Sequence, residues 1–252
     1  MARRLVALGA SNLTLGLASL VAIARSQWGA DVEVMTALGY GRSYGMPSTI
    51  GVRTLPGILE CGLWRALENS PSAQTRGVVT DVGNDILYGV EPGTILAWVE
   101  QAVDRLLAIT DDVVLTDLPT ANSHELSEAR FTFFRTILYP SCRLTLDDVV
   151  ARAEEVNAGL RDLARSRPVR FSKLNPGWYG LDPIHFRPGR WRDAWRGILL
   201  GSDPLENDSG LSVVEWMRFQ MSAAERQTVF GRERLRPQRG TPLPRGGRVW
   251  MY

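Results

Sequence analysis

The segment RLVALGASNLTLGLASLVAIARS, residues 4–26, decides the fold of the N-terminal part of this chain. It begins with an apolar run of strand length, residues 4–9, and continues after a short turn with the apolar spacing of a helix. A secretion signal would need an unbroken apolar run here, but Ser11, Asn12 and Thr14 interrupt it. The segment therefore predicts a strand, a turn and a helix that stay in the mature protein, and the expected location is the cytoplasm.

The same alternation of strand and helix continues along the chain. Four further runs are apolar and rich in β-branched residues, and the stretches between them have helical spacing. This alternation predicts an α/β protein whose mostly parallel sheet is covered by helices on both faces. The predicted strands are residues 4–9, 32–38, 77–82, 112–119 and 169–174, and the predicted helices are residues 55–69, 93–110, 127–139 and 146–166.

Composition limits the classes of function. The 252 residues are 44% hydrophobic and 22% charged, as in ordinary globular proteins, and the net charge of +2 does not by itself indicate a polyanionic partner. No run reaches the length of a membrane span. The two cysteines, Cys61 and Cys142, form no metal or redox motif, and we expect no metal and no cofactor. Only His124 and His185 could serve as a histidine base.

The last 52 residues differ from the rest in composition. Residues 1–200 are predicted to form the α/β domain, and residues 201–252 to form a helical extension with an Arg-, Pro- and Gly-rich tail packed on that domain or trailing from it. The arginines of this tail could contact nucleic acid or anionic lipid, but a solvated or wrapping tail is favoured, and nucleic acid is not an expected partner.

Ligands bind at the carboxyl ends of the strands in such sheets, so the residues that follow each strand are the site candidates. Ser11 follows the first strand, where it is either a nucleophile or a helix N-cap. The Gly-rich loop of residues 39–45 follows the second strand, and it is an N–H donor loop, a dinucleotide loop or a flexible turn. Asn84 follows the third strand, as an amide donor or as a turn residue.

Asp182 and His185 follow the fifth strand, three residues apart in a loop rich in Gly and Pro. At this spacing a turn can bring the carboxylate onto the imidazole Nδ1–H, which leaves Nε2 free to act as a base. The alternative is a lone loop histidine with a capping aspartate. His124 is the competing base, at the start of a predicted helix.

Taken together and in this order, these residues resemble the SGNH/GDSL hydrolase family. The matching blocks are Gly9-Ala10-Ser11-Asn12, the loop of residues 39–45, Gly83-Asn84-Asp85 and Asp182-Pro183-Ile184-His185. The resemblance implies a three-layer α/β/α sandwich with a flavodoxin-like five-stranded parallel sheet. It also implies hydrolysis of acyl esters without a metal cofactor.

The resemblance also implies roles for individual residues. Ser11, His185 and Asp182 would form a catalytic triad, and Ser11, Gly41 and Asn84 would bind the oxyanion, with Gly45 as the alternative to Gly41. Two positions depart from the family pattern. Ala10 stands where the family usually has an aspartate that braces the site, and Val82 stands where it usually has a glycine.

Other functions remain open at this point. The chain could be an acyltransferase of the same architecture, a catalytically weak ligand-binding relative, or a nucleotide-binding α/β protein. The expected partner is a small acyl ester. Its acyl chain length, its alcohol or sugar part and the oligomeric state do not follow from the sequence.

Overall fold

The structure is a computed structural model, and it describes residues 2–120, 131, 132, 135, 136, 139, 142–180, 182, 184–203 and 213–252. Strands and helices alternate over most of this length. The helices of the described residues are α1 (Ser11–Trp28), α2 (Leu63–Glu68), α3 (Asn84–Leu87), α4 (Pro92–Leu107), α5 (Leu146–Ser166), α6 (Trp191–Leu200) and α7 (Val213–Gln220).

A seven-stranded sheet forms the centre of the fold, in the order β10-β11-β2-β1-β5-β6-β7. All neighbouring strands are parallel except β10 and β11. Its strands are β1 (Arg3–Leu8), β2 (Glu33–Ala37), β5 (Gln74–Val79), β6 (Val113–Thr116), β7 (Val169–Ser172), β10 (Thr241–Pro242) and β11 (Arg248–Met251).

The sheet is covered on both faces because successive side chains of each strand point to opposite sides. In β1, Leu5 and Ala7 pack with helices α1 and α6, whereas Val6 and Leu8 pack with α4 and α5. The result is the predicted three-layer α/β/α sandwich. Among the described residues, no helix has both the length and the apolarity needed to span a membrane.

The prediction of five strands is wrong, since the sheet has seven. The two additional strands, β10 and β11, come from the Arg-, Pro- and Gly-rich tail. β11 adds to the edge at β2, where Val249 and Met251 become buried against the α1 side of the sheet. This apolar alternation covers only four residues, too few to identify a strand in a tail of polar and turn residues.

A second, four-stranded antiparallel sheet has the order β3-β4-β8-β9. It joins a hairpin after the Gly-rich loop to a hairpin that begins in the predicted helical extension and ends in the tail, and the sequence predicts neither hairpin. Its strands are β3 (Ser48–Ile50), β4 (Arg53–Leu55), β8 (Arg226–Val229) and β9 (Arg232–Leu235).

The predicted helices differ from the observed ones mainly where glycine or proline intervenes. The prediction for residues 146–166 matches α5, which starts at a capping box formed by Thr145 and Asp148. The helix predicted over residues 55–69 is divided into a 3-10 turn, Ile58–Glu60, and α2, with Gly62 between them. Most of the helix predicted over residues 127–139 lies outside the described residues.

Candidate active site

Ser11 is the first residue of α1, directly after the turn that follows β1. Its side chain is largely buried, with 8% exposure. The turn is tight, since a Cβ on Gly9 would come within 2.9 Å of the Thr80 side chain. Ser11 N–H belongs to the first turn of an 18-residue helix, where the helix dipole is positive. The hydroxyl therefore lies at the carboxyl edge of the sheet, as the sequence predicts.

His185 reaches Ser11 from the loop between β7 and α6. His185 Nε2 lies 2.9 Å from Ser11 Oγ, and His185 Nδ1 lies 2.6 Å from Asp182 Oδ2. The three side chains form a continuous hydrogen-bonded chain although 174 residues separate Ser11 from His185. An Nδ1–H that donates to the carboxylate leaves Nε2 as the acceptor for the Ser11 hydroxyl.

Asp182 is held in its orientation by its own turn. Its Oδ1 accepts hydrogen bonds from the backbone N–H of Ile184 at 3.0 Å and of His185 at 3.3 Å. Burial would raise the pKa of Asp182, but the hydrogen bond and charge of His185 and the two backbone N–H groups outweigh it and lower the pKa. Asp182 is therefore an anion at neutral pH that faces the imidazole.

Asn84 is the first residue of α3, and its amide has a fixed orientation. Its Oδ1 accepts a hydrogen bond of 2.6 Å from the Tyr139 hydroxyl, and its Nδ2 donates to the Asp81 carbonyl at 3.2 Å. Burial, followed by the charges around it, raises the pKa of Tyr139, so this hydroxyl stays protonated and donates. Among the described residues, the second N–H of the Asn84 amide has no further acceptor and can donate to a ligand.

The loop of residues 39–45 is anchored from several sides. Gly41 has a φ of 58°, which favours glycine, and its carbonyl accepts a 2.7 Å hydrogen bond from Tyr88. The buried Arg42 donates to the carbonyls of Leu38 and Pro56 at 2.9 and 3.1 Å, and to that of Tyr252. Hydrogen bonds from Tyr88 and to Pro56 and Tyr252 therefore tie the loop to three other parts of the chain.

The two candidate glycines have different surroundings. A Cβ on Gly45 would overlap the indole of Trp98, which gives this glycine a packing role. Gly41 is connected to Asn84 instead, because Tyr88 binds its carbonyl and packs edge-on against Tyr139 with ring centroids 5.1 Å apart. Of the two glycines, Gly41 is the one that the structure links to the other site residues.

A cavity of about 160 Å³ opens beside Ser11, Asn84 and Asp182. It extends between the ends of β5 and β6 and the first turns of α5, and its wall is mostly apolar. The apolar wall includes Ile86, Leu118, Phe131, Leu146, Val149 and Ala153.

Sequence reasoning missed two kinds of residue at this site. Tyr88 and Tyr139 orient the predicted donors through their hydroxyls, and Asp81 and Asn12 connect the serine turn to the histidine loop. The third strand predicted from the sequence, residues 77–82, includes Asp81, whereas the observed strand β5 ends at Val79. No local pattern could reveal these roles, since each depends on a partner distant in the sequence.

His124, the competing base, lies outside the described residues. Cys61 and Cys142 are buried free thiols. Within the described ranges, no three His, Cys, Asp or Glu side chains are grouped closely enough to hold a metal ion.

Comparison with solved structures supports the fold. A member of the lipolytic protein G-D-S-L family from Veillonella parvula DSM 2008 aligns over 81% of this chain and 100% of its own, with 11% identity and a TM-score of 0.51. The chain has the SGNH/GDSL hydrolase fold. A second solved structure, 14% identical, aligns over 80% of this chain and 100% of its own with a TM-score of 0.52.

A more distant alignment is to the psychrotrophic esterase EstA from Pseudoalteromonas sp., in a structure inhibited by monoethylphosphonate. It covers 77% of this chain and 95% of that chain, with 11% identity and a TM-score of 0.42. No protein-family model matches the sequence, and no curated protein matches it. At these identities the comparisons establish the SGNH/GDSL fold alone.

Proposed function

We propose that this protein is a serine-dependent acyl ester hydrolase. The observation that carries the proposal is the hydrogen-bonded chain from Ser11 Oγ through His185 to Asp182, at the mouth of an apolar cavity within an SGNH/GDSL fold. A serine that acts only as a helix cap has no need of an imidazole held 2.9 Å away by a partly buried carboxylate. The arrangement fits a nucleophile, its base and the group that orients the base.

In the proposed reaction, Ser11 Oγ attacks the acyl carbonyl while His185 Nε2 takes the serine proton. Asp182 stabilises the imidazolium that forms. The N–H groups of Ser11 and Gly41 and the amide of Asn84 stabilise the oxyanion of the tetrahedral intermediate. The intermediate collapses when His185 gives its proton to the departing alcohol oxygen, which leaves the acyl group on Ser11.

The second half of the reaction repeats these steps with water. His185 takes a proton from water as the hydroxide oxygen attacks the acyl-enzyme, and it then returns the proton to Ser11 Oγ as the acid leaves. If an alcohol takes the place of water, the same site is an acyltransferase. Competition between water and added alcohols for the acyl-enzyme separates the two activities.

The test uses a series of aryl esters from acetyl to decanoyl and a fluorophosphonate probe. We expect the probe to label Ser11, and Ser11→Ala and His185→Ala each to abolish ester hydrolysis and labelling. Ser19→Ala is the matched control, because Ser19 is a buried serine on the same helix away from the site, and it should retain full activity. Normal hydrolysis by Ser11→Ala would overturn the proposal, and a folded protein without labelling would indicate a ligand-binding relative.

A further inference from the structure

Asp81 supplies a carboxylate to the turn that carries Ser11. Its Oδ2 accepts hydrogen bonds from the backbone N–H of Ala10 at 2.9 Å and of Leu13 at 3.1 Å, and its Oδ1 accepts from Asn12 Nδ2 at 2.9 Å. We propose that Asp81 is a positioning residue that fixes the placement of Ser11 relative to His185. This inference rests on the proposed function and assigns Asp81 a part in it.

The local sequence explains why the turn needs a carboxylate from elsewhere. The residue before the helix is Ala10, which has no polar side chain, and α1 has no side-chain cap of its own. The first N–H groups of a helix lack intrahelical acceptors and carry partial positive charge. The side chain of Asp81 accepts from two backbone N–H groups of this turn, from a position 71 residues away from Ala10.

Asp81 itself has an unusual backbone conformation. Its φ is 56°, in the left-handed region that non-glycine residues rarely adopt. Such a conformation persists where surrounding contacts hold it, and these conformations are concentrated at functional sites. The three hydrogen bonds to the serine turn are contacts of this kind.

Asn12 extends the connection to the histidine loop. Its Nδ2 also donates to the Ile184 carbonyl at 2.8 Å, and its Oδ1 accepts from Phe186 N–H at 2.8 Å. These two backbone groups flank His185 on either side. The path from Asp81 through Asn12 therefore fixes the backbone on both sides of the imidazole, while Asp81 directly fixes the backbone on both sides of Ser11.

The competing interpretation is that Asp81 only caps helix α1. A cap contributes to stability and leaves the turnover of the folded enzyme unchanged. A positioning residue instead changes kcat at constant KM, because a displacement of about 1 Å between reacting groups costs about 100-fold. It also changes the environment of the imidazole, which can be measured without any substrate.

Asp81→Asn is the informative variant, because an amide cannot accept hydrogen bonds at both ends. Its NH₂ group would face either the backbone N–H groups of the serine turn or the NH₂ group of Asn12. Asn12→Ala is the second variant, because it leaves the bonds from Asp81 to the backbone in place and removes the Asn12 side chain that links Asp81 Oδ1 to residues 184–186. Asp148→Asn is the matched control, a helix-capping aspartate on the exposed start of α5.

Four quantities are measured for each variant: kcat, KM, the unfolding midpoint in urea, and the downfield proton NMR signal of His185 Nδ1–H. We expect Asp81→Asn and Asn12→Ala to lower kcat by about 10- to 100-fold at nearly constant KM, and to broaden or shift the imidazole signal in folded protein. Asp148→Asn should lower the midpoint only.

Unchanged kcat and an unchanged imidazole signal in both Asp81→Asn and Asn12→Ala would overturn the inference. The NMR signal separates this failure from a failure of the proposed function. A wild-type protein that hydrolyses no ester, but whose imidazole signal depends on Asp81 and Asn12, would refute the hydrolase and retain the positioning role.

Discussion

Asp85 makes the stability of this protein depend on pH in an unusual direction. Its side chain is fully buried behind the Gly-rich loop, where Oδ2 accepts from Tyr44 N–H at 3.0 Å and the carboxyl also binds Ser43. Within the described part of the chain, Oδ1 has no hydrogen-bond partner. Burial raises the pKa of Asp85 from 3.8 to about 6, against the lowering effect of these hydrogen bonds.

The sign and size of the effect follow from linkage. Between about pH 4 and pH 6 the folded state holds the Asp85 proton while the unfolded chain loses it, so stability falls as pH rises through this window. One pKa unit corresponds to about 1.4 kcal/mol, so a rise from 3.8 to about 6 corresponds to about 3 kcal/mol. This contribution is complete below pH 4 and absent well above pH 6.

Asp85→Asn isolates this contribution, because the amide imitates the protonated acid and does not titrate. Urea unfolding of both proteins at several pH values gives the difference between their free energies of unfolding. The contributions of the other carboxylates are the same in both proteins and cancel in this difference. We expect the variant to gain about 3 kcal/mol relative to the wild type between pH 4 and pH 8. Asp148→Asn should show the opposite sign, since hydrogen bonds from Thr145 lower the pKa of Asp148.

A difference between wild type and Asp85→Asn that stays constant over this pH range would refute the reasoning. It would mean that Asp85 is as acidic in the folded protein as in the unfolded chain. The unpartnered Oδ1 would then have to be solvated in a way that the buried position does not allow.

Three further predictions concern turnover and specificity. Tyr139→Phe removes the hydroxyl that orients Asn84, and we expect kcat to fall by about 10-fold with little change in KM. An unchanged kcat would show that the Asn84 amide does not depend on this hydrogen bond. For aryl esters, kcat/KM should rise about 4-fold per methylene, which corresponds to about 0.8 kcal/mol, up to about six carbons, since a cavity near 150 Å³ holds a benzene. Val149→Phe should lower kcat/KM for octanoyl esters and spare acetyl esters, and a uniform loss would place the acyl chain elsewhere.

The fold was predictable where local patterns are long and regular. The strands that end near Ser11, Asn84 and His185 were found because each is a β-branched apolar run followed by a turn. The helix of residues 146–166 was found because its apolar spacing, acidic start and basic end agree. Because ligands bind at the carboxyl ends of the strands in such sheets, the side chains that follow these strands are predicted to lie together at one edge of the sheet.

The unpredicted parts depend on pairings over long distances. β11 is a strand because β2 lies beside it, and β3 and β4 belong to a sheet completed by β8 from the tail. The link between Asp81 and Ala10 has the same origin, since Ala10 alone indicated a lost carboxylate and only the folded structure shows where one is supplied. Sequence spacing carries no information on such contacts.

The pairing of β11 with β2 also sets the order in which this protein can form. The Thr36 hydroxyl bonds to the Trp250 carbonyl over a separation of 214 residues, and Arg42 of the Gly-rich loop bonds to the Tyr252 carbonyl. At a synthesis rate of about 5–20 residues per second, about 10–40 s pass on the ribosome between the synthesis of β2 and the synthesis of β11. During that interval β2 is an open parallel edge, and such long-range contacts are the slowest to close. The serine turn can therefore be complete well before the loop opposite it is anchored, so the proposed hydrolase activity should appear later than the sheet core.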